Sequence, residues 1–139
     1  MRLSSAKTKS TIVLINPDSR LQVSTSLSLA QGEARKNKLP LAVVVRHDPM
    51  AEVNDARFDE LEKLERQLAY YQIPLILMFG SLSAVLRALQ KHFEPDIYES
   101  DDAPGALTRH EIKWPWTVQS VTVLRRYISK VGVDGVCEL

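Results

Sequence analysis

Short, unbroken apolar runs alternate along this chain with stretches whose apolar residues recur every three or four positions. Residues 11–15 (Thr-Ile-Val-Leu-Ile) form the first run, and Asn16, Pro17, Asp18 and Ser19 close it with turn chemistry. Leu27, Ala30, Gln31 and Ala34 then share one helical face, with Ser24 or Ser26 as its cap. A second run, residues 39–45, stops at Arg46, His47, Asp48 and Pro49. Phe58, Leu61, Leu64, Leu68 and Tyr71 mark an amphipathic helix. Its solvent side carries Asp59–Lys63 and Glu62–Arg66, acid before base at i,i+4. Pro74 stops that helix, and residues 75–79 read as the third strand. Gly80 makes the turn, and Ser81 or Ser83 caps a helix showing Leu82, Val85, Leu86, Leu89 and Phe93. Asp96, Ile97 and Tyr98 are placed for a short fourth strand. Over residues 100–117 the rhythm breaks, with turn residues at Asp101, Asp102, Pro104 and Gly105 and the unhelical Trp114-Pro115-Trp116. It resumes with Val121, Leu124, Tyr127, Ile128 and Val131 behind Ser120, and residues 133–139 are expected as a fifth strand.

The first two strand runs lack polar–apolar alternation, the pattern of strands covered on both faces. Strand–helix alternation with short connections predicts an α/β fold: a three-layer, Rossmann-like sandwich with a parallel sheet of about five strands and helices on both faces. Residues 1–10 read as a flexible basic tail and 11–139 as a single domain, with 101–118 an irregular segment. Ligands of such sheets bind beyond the carboxyl ends of the strands, where the winding reverses. The expected site therefore lies along residues 16–20, 46–49, 79–81 and 98–102.

Composition narrows the function classes. At 139 residues, 45% hydrophobic and 25% charged, the chain suits one globular domain. Eighteen Lys and Arg against seventeen Asp and Glu leave a net charge of +1. No overall field draws it to nucleic acid, and no direct nucleic-acid contact is expected. No apolar run reaches the ~18–20 residues of a membrane-spanning helix. The single cysteine, Cys137, permits no disulfide within the chain and no Cys-based zinc site, and fits a reducing, cytoplasmic setting. The five glycines form neither G-x-G-x-x-G nor a P-loop, and G-x-S-x-G is absent. No catalytic residue and no metal ligand is assigned.

Among polar candidates, Arg46, His47 and Asp48 form the best cluster, and His47 is the histidine best placed for ligand contact or proton transfer. Neighbours on an extended chain point to opposite sides, so Arg46 and His47 need not converge. The helix after the first strand offers an anion its N-terminal N–H groups with Arg20 nearby, against a plain turn around Asp18. His92 suits a helix end. The His110–Glu111 pair lacks a third ligand, and Asp101-Asp102 reads as a turn and cap in preference to an ion site. Trp114 and Trp116 serve as a lid over the sheet or as a self-association surface.

Taken in order, these pieces resemble the N-terminal α/β domain of the DNA photolyase/cryptochrome family. Asp18-Ser19-Arg20-Leu21 is similar to that family's stretch after its first strand, and Leu27-Ser28-Leu29-Ala30 falls where the next helix begins. Asp48-Pro49 matches an Asp-Pro pair at the end of the second strand. The stretch from Arg57 through Leu61-Glu62-Lys63-Leu64 to Ile73-Pro74-Leu75 is similar to the second helix and third strand. Phe79-Gly80 and Val85-Leu86 follow in place. The likeness covers roughly residues 11–100; Val23-Ser24 replaces the family's Asp-Asn pair, and residues 101–118 have no counterpart.

The resemblance implies a domain that binds a flat antenna chromophore, a flavin or a folate, at the strand edge, with Arg46 stacking on it. Asn16, Asp18, Arg20, Arg46, His47 and Gly80 would form that rim. It also implies that the FAD-binding catalytic domain is not part of this chain. The domain would not repair DNA alone, and a helical flavin-domain protein is an expected partner. Two other readings stand beside this one. The first is a homo-oligomeric scaffold that has lost its ligand and associates through the Trp114–Trp116 region. The second is a nucleotide-binding domain of the universal-stress type.

Overall fold

The computed structural model describes residues 7–48 and 55–131. The chain runs β1 (Thr8–Ile15), α1 (Thr25–Lys36), β2 (Leu41–His47), α2 (Asp55–Tyr70), β3 (Leu75–Phe79), α3 (Leu82–His92), β4 (Phe93–Glu99) and α4 (Val121–Val131). All strand pairs are parallel, in the order β3-β2-β1-β4. The architecture is the expected α/β sandwich, with four strands among the described residues and not five. The fifth strand expected over 133–139 lies outside them.

β1 is the strand at which the winding reverses. The chain steps from β1 to β2 to β3 with α1 and α2 on one face, then crosses to the far side of β1 through α3 on the other. The core divides accordingly. Val13, Ile15, Val43 and Val45 meet Leu27, Ala30, Leu61, Leu64 and Leu68 on one face. Ile12, Leu14, Val44 and Met78 meet Val85 and Leu89 on the other. Residues 12–15 and 41–45 are buried on both faces, which is why those runs carry no alternation. β4, at an edge, is only partly covered and does alternate.

The helices follow their sequence signals. Ser24 caps α1, its hydroxyl accepting from the Leu27 N–H at 3.2 Å, and Leu27, Ala30, Gln31 and Ala34 are the buried face. Ser81 caps α3 in the same way through the Ala84 N–H. α1 and α2 both end on a left-handed residue, Lys38 (φ 57°) and Gln72 (φ 62°). The N–H groups of Leu39 and Ile73 then reach back to the carbonyls of Ala34 and Leu68.

Three details depart from the expectation. β1 begins at Thr8, so residues 8–10 leave the basic tail and pair with Phe93, Glu94 and Pro95. The cause is β4, which starts directly at the end of α3 and runs seven residues, offering β1 a partner strand well before Thr11. β2 is shifted two residues toward Arg46 and His47. Finally, Asp59 and Glu62 do not form ion pairs with Lys63 and Arg66. Asp55, Asp59 and Glu62 all converge on Arg125 of α4, at 2.9, 2.9 and 3.2 Å, and hold α4 against α2. Among the described residues, no helix is long and apolar enough to cross a membrane.

Candidate functional site

At the carboxyl edge of β1, β2 and β3, one guanidinium ties three strand ends together. Arg46 Nε donates to Asn16 Oδ1 at 3.1 Å, and Arg46 Nη1 donates to the Gly80 carbonyl at 3.0 Å. The Gly80 N–H in turn donates to the His47 carbonyl at 3.0 Å. Gly80 has φ +150°, a conformation that side-chain-bearing residues rarely adopt; a Cβ there would meet only ordinary contacts with Ala84 and Val85. Its requirement is therefore one of backbone, and that backbone aims the carbonyl at Arg46. With Nε and Nη1 engaged, the guanidinium plane is fixed and half-buried, and among the described residues no acceptor meets Nη2.

Four of the six rim candidates thus meet, two of them through backbone groups, though His47 does not present its ring there. Strand alternation sends Arg46 to the α3 face and His47 to the α1–α2 face, where the imidazole is 8% exposed. It packs edge-on to Phe79, with centroids 5.3 Å apart at 66°. Asp18 and Arg20 are exposed on the loop after Asn16, and no hydrogen bond joins them to Arg46. That loop is pinned instead by its backbone, the Ser19 N–H donating to the Asn16 carbonyl at 3.0 Å.

The other half of the edge, between β1 and β4, is where winding reverses and where α1 presents its N-terminus. The chain fills this crevice itself. After β4, the Ser100 N–H continues the ladder to the Leu14 carbonyl, and residues 101–105 fold over α1 as a strap. The Thr25 N–H donates to the Ala103 carbonyl and the Gly105 N–H to the Val23 carbonyl, both at 2.9 Å. The Asp101 carboxylate takes the Thr25 hydroxyl at 2.5 Å and also accepts from Ser26, by backbone and side chain. These bonds, Thr25's first, hold the Asp101 carboxyl below the usual aspartate range against the opposing effect of desolvation. The first three N–H groups of α1 are thereby satisfied from within the chain, by Ala103, Asp101 and Ser24. An anion at this helix end, with Arg20 beside it, has no open position.

The sequence around Asp101 predicts a turn and cap; that it caps a helix 76 residues earlier is carried by no local pattern. Gln31 belongs by spacing to the α1 face. It docks the next stretch of the same strap, its amide donating to the Thr108 carbonyl (2.6 Å) and accepting from the Thr108 N–H (2.9 Å).

The remaining candidates are placed as follows. His110 is 1% exposed, and its Nε2 donates to the Leu39 carbonyl at 2.8 Å, so the ring pins the strap to the start of β2. Glu111 is exposed, and no group of three or more metal-ligating side chains occurs among the described residues. Trp114 and Trp116 pack at a tilt against Phe93 with centroids 4.9 and 4.7 Å away, and His92 meets Trp116 at 4.7 Å.

No family model matches this chain, and no curated protein and no solved structure matches it.

Proposed function

We propose that this chain is a photolyase-type α/β domain whose work is binding: a flat antenna-type ring, flavin or folate, lies against Arg46 at the carboxyl edge of β1, β2 and β3. One observation carries the reading. Arg46 is locked between Asn16 and the Gly80 carbonyl, which presents an oriented guanidinium face for stacking and a spare Nη2 for an acceptor on the ring. The order of the sequence motifs supports the resemblance, and the strand order β3-β2-β1-β4 is compatible with it. In this reading a helical flavin-domain protein supplies the chemistry of light-dependent DNA repair, and the pair works in the cytoplasm. A universal-stress type of nucleotide domain has less support, since Asp101 sits where a phosphate would need the α1 N-terminus.

The test is the spectrum of the purified protein after incubation with riboflavin 5′-phosphate or with a folate, followed by gel filtration. A visible or near-ultraviolet band that Trp and Tyr cannot give should elute with the protein, and Arg46→Ala should abolish it without unfolding the chain. A colourless protein that takes up neither compound would overturn the reading. One observation favours a second reading, a self-associating scaffold: Trp116 is 46% exposed. Its signature is a stable, colourless dimer.

A further inference from the structure

The two tryptophans of this chain line the same cavity. The cavity lies along the free edge of β3, under the end of α3, and is walled by residues 114–119; its volume is about 580 Å³. That is within the range of roughly 300–1,000 Å³ typical of small-molecule sites. Ile76, Met78 and Leu89 form its apolar floor, and Phe93, Trp114 and Trp116 its aromatic wall. Three features set it apart from a core that has merely failed to close.

The first is charge. Among the described residues, Lys91 is the one of fixed charge on the lining, His92 stands beside it, and no carboxylate lines the cavity. The second is an unspent donor. Trp114 Nε1 is shielded from solvent and has no hydrogen-bond partner among the described residues, whereas a buried indole N–H ordinarily finds one. The third is the edge itself. Pro74 and Gly80 bond to β2 through the carbonyl and the N–H respectively. By the alternation of a parallel ladder, the Leu77 N–H and carbonyl then face outward, on a residue that lines the cavity. An apolar slot with aromatic walls, one cation and unused donors matches one chemistry.

We propose that this cavity is a binding site for a flat aromatic carboxylate of two fused rings or more. The rings lie between Trp116, Phe93 and the Met78 floor. The carboxylate meets the Lys91 ammonium, and a small turn of the Trp114 indole gives its N–H the acceptor it lacks. Met78 neighbours Arg46 in the ladder, but Lys91, His92 and both tryptophans gather at the other end of α3, which begins beside Gly80 and runs 11 residues, roughly 16 Å along a helix, so their contribution is separable from the Arg46 reading.

The experiment is a titration with 2-naphthoate and with its neutral analogue 2-naphthamide. It is read by the two indole N–H resonances, which report on this cavity alone because the chain has two tryptophans. Naphthoate should shift both signals saturably. Lys91→Met should weaken naphthoate by roughly threefold, the worth of one exposed ion pair, and leave naphthamide unchanged. Trp116→Ala should remove binding of both, and Arg46→Ala should alter neither. Absence of any shift would overturn the proposal, as would equal loss of acid and amide in Lys91→Met. Indole signals that move with protein concentration alone would overturn it as well, making a second copy of the chain the occupant.

Discussion

The Asp101 carboxylate accepts a hydrogen bond from the Thr25 hydroxyl at 2.5 Å, across 76 residues of sequence. This contact turns the segment after β4 into the cap of α1 and closes the crevice where the sheet reverses. It has a pH signature. The Asp101 carboxyl titrates below its ordinary value in the folded chain, chiefly through Thr25, so the folded state prefers the ionised form. Its stabilising contribution is therefore complete above the unfolded aspartate value, near pH 4, and disappears as pH falls through the lower folded value. Denaturant midpoints of wild type and Asp101→Asn should differ at neutral pH and converge in acid. A gap of constant size down to strong acid would mean that the carboxylate charge is not its source.

Gly105 makes the same strap possible. A Cβ at this position would collide with the Ser24 carbonyl oxygen and with Ser28 Oγ, and the former is backbone that cannot step aside. Gly105→Ala should cost about 1–3 kcal/mol, the usual scale for a forced overlap. The damage should be local. Amide exchange at Thr25 and Gly105, which are bonded to Ala103 and Val23, should accelerate more than exchange in β2.

Glu65 behaves oppositely to Asp101. Its Oε2 accepts from the Val121 N–H at 2.9 Å, so a side chain of α2 caps α4. Burial raises the Glu65 carboxyl above its ordinary value, against the Val121 bond that lowers it. A raised folded value means the folded state binds the proton more tightly. Stability from this group is greatest below the unfolded glutamate value and declines as pH rises from there through the folded one. Glu65→Gln keeps an oxygen acceptor and abolishes that decline, so it should change stability at pH 7 by less than about 0.5 kcal/mol. Glu65→Ala leaves the Val121 N–H without a partner and should cost about 1–2 kcal/mol in urea unfolding. Equal losses in the two variants would show that the charge, and not the acceptor, secures α4.

What the sequence made legible was whatever has a period. The α1 face at Leu27, Ala30, Gln31 and Ala34, the α2 face from Phe58 to Leu68, and the Ser24 and Ser81 caps are each set by residues within a few turns of one another. That Asn16, Arg46 and Gly80 lie at one edge was legible too, because each stands at the end of a strand run. Its coupling to Asn16 and the Gly80 carbonyl depends on strand order, which no local spacing encodes. Residues 100–117 were legible only as a break. They dock through single polar contacts, Asp101 to Thr25, Thr108 to Gln31 and His110 to Leu39, with no repeat to betray them. Arg125 was missed for a related reason: i,i+4 spacing offered the α2 acids local bases, but α4 brings one guanidinium to three of them at once, 5.8 Å above the Phe58 ring.

The two helix ends that close on a left-handed residue without using glycine give the last prediction. Lys38, at φ 57°, lets the Leu39 N–H reach the Ala34 carbonyl at 2.8 Å, and Gln72, at φ 62°, does the same for Ile73 and Leu68 at 3.0 Å. For a residue with a Cβ this conformation costs roughly 1–2 kcal/mol, which glycine escapes while adding some unfolded-state entropy. Lys38 is exposed, and nothing in the structure ties its side chain down. Lys38→Gly should therefore stabilise the protein by about 0.5–1 kcal/mol, seen as a higher denaturant midpoint at unchanged slope. Gln72 differs, because its Oε1 accepts from Arg109 Nε at 3.2 Å and helps seat the strap. Gln72→Gly should gain less than Lys38→Gly, and the shortfall should vanish in an Arg109→Ala background. If both glycines gave the same gain with Arg109 present, the Gln72–Arg109 contact would contribute nothing to holding the strap.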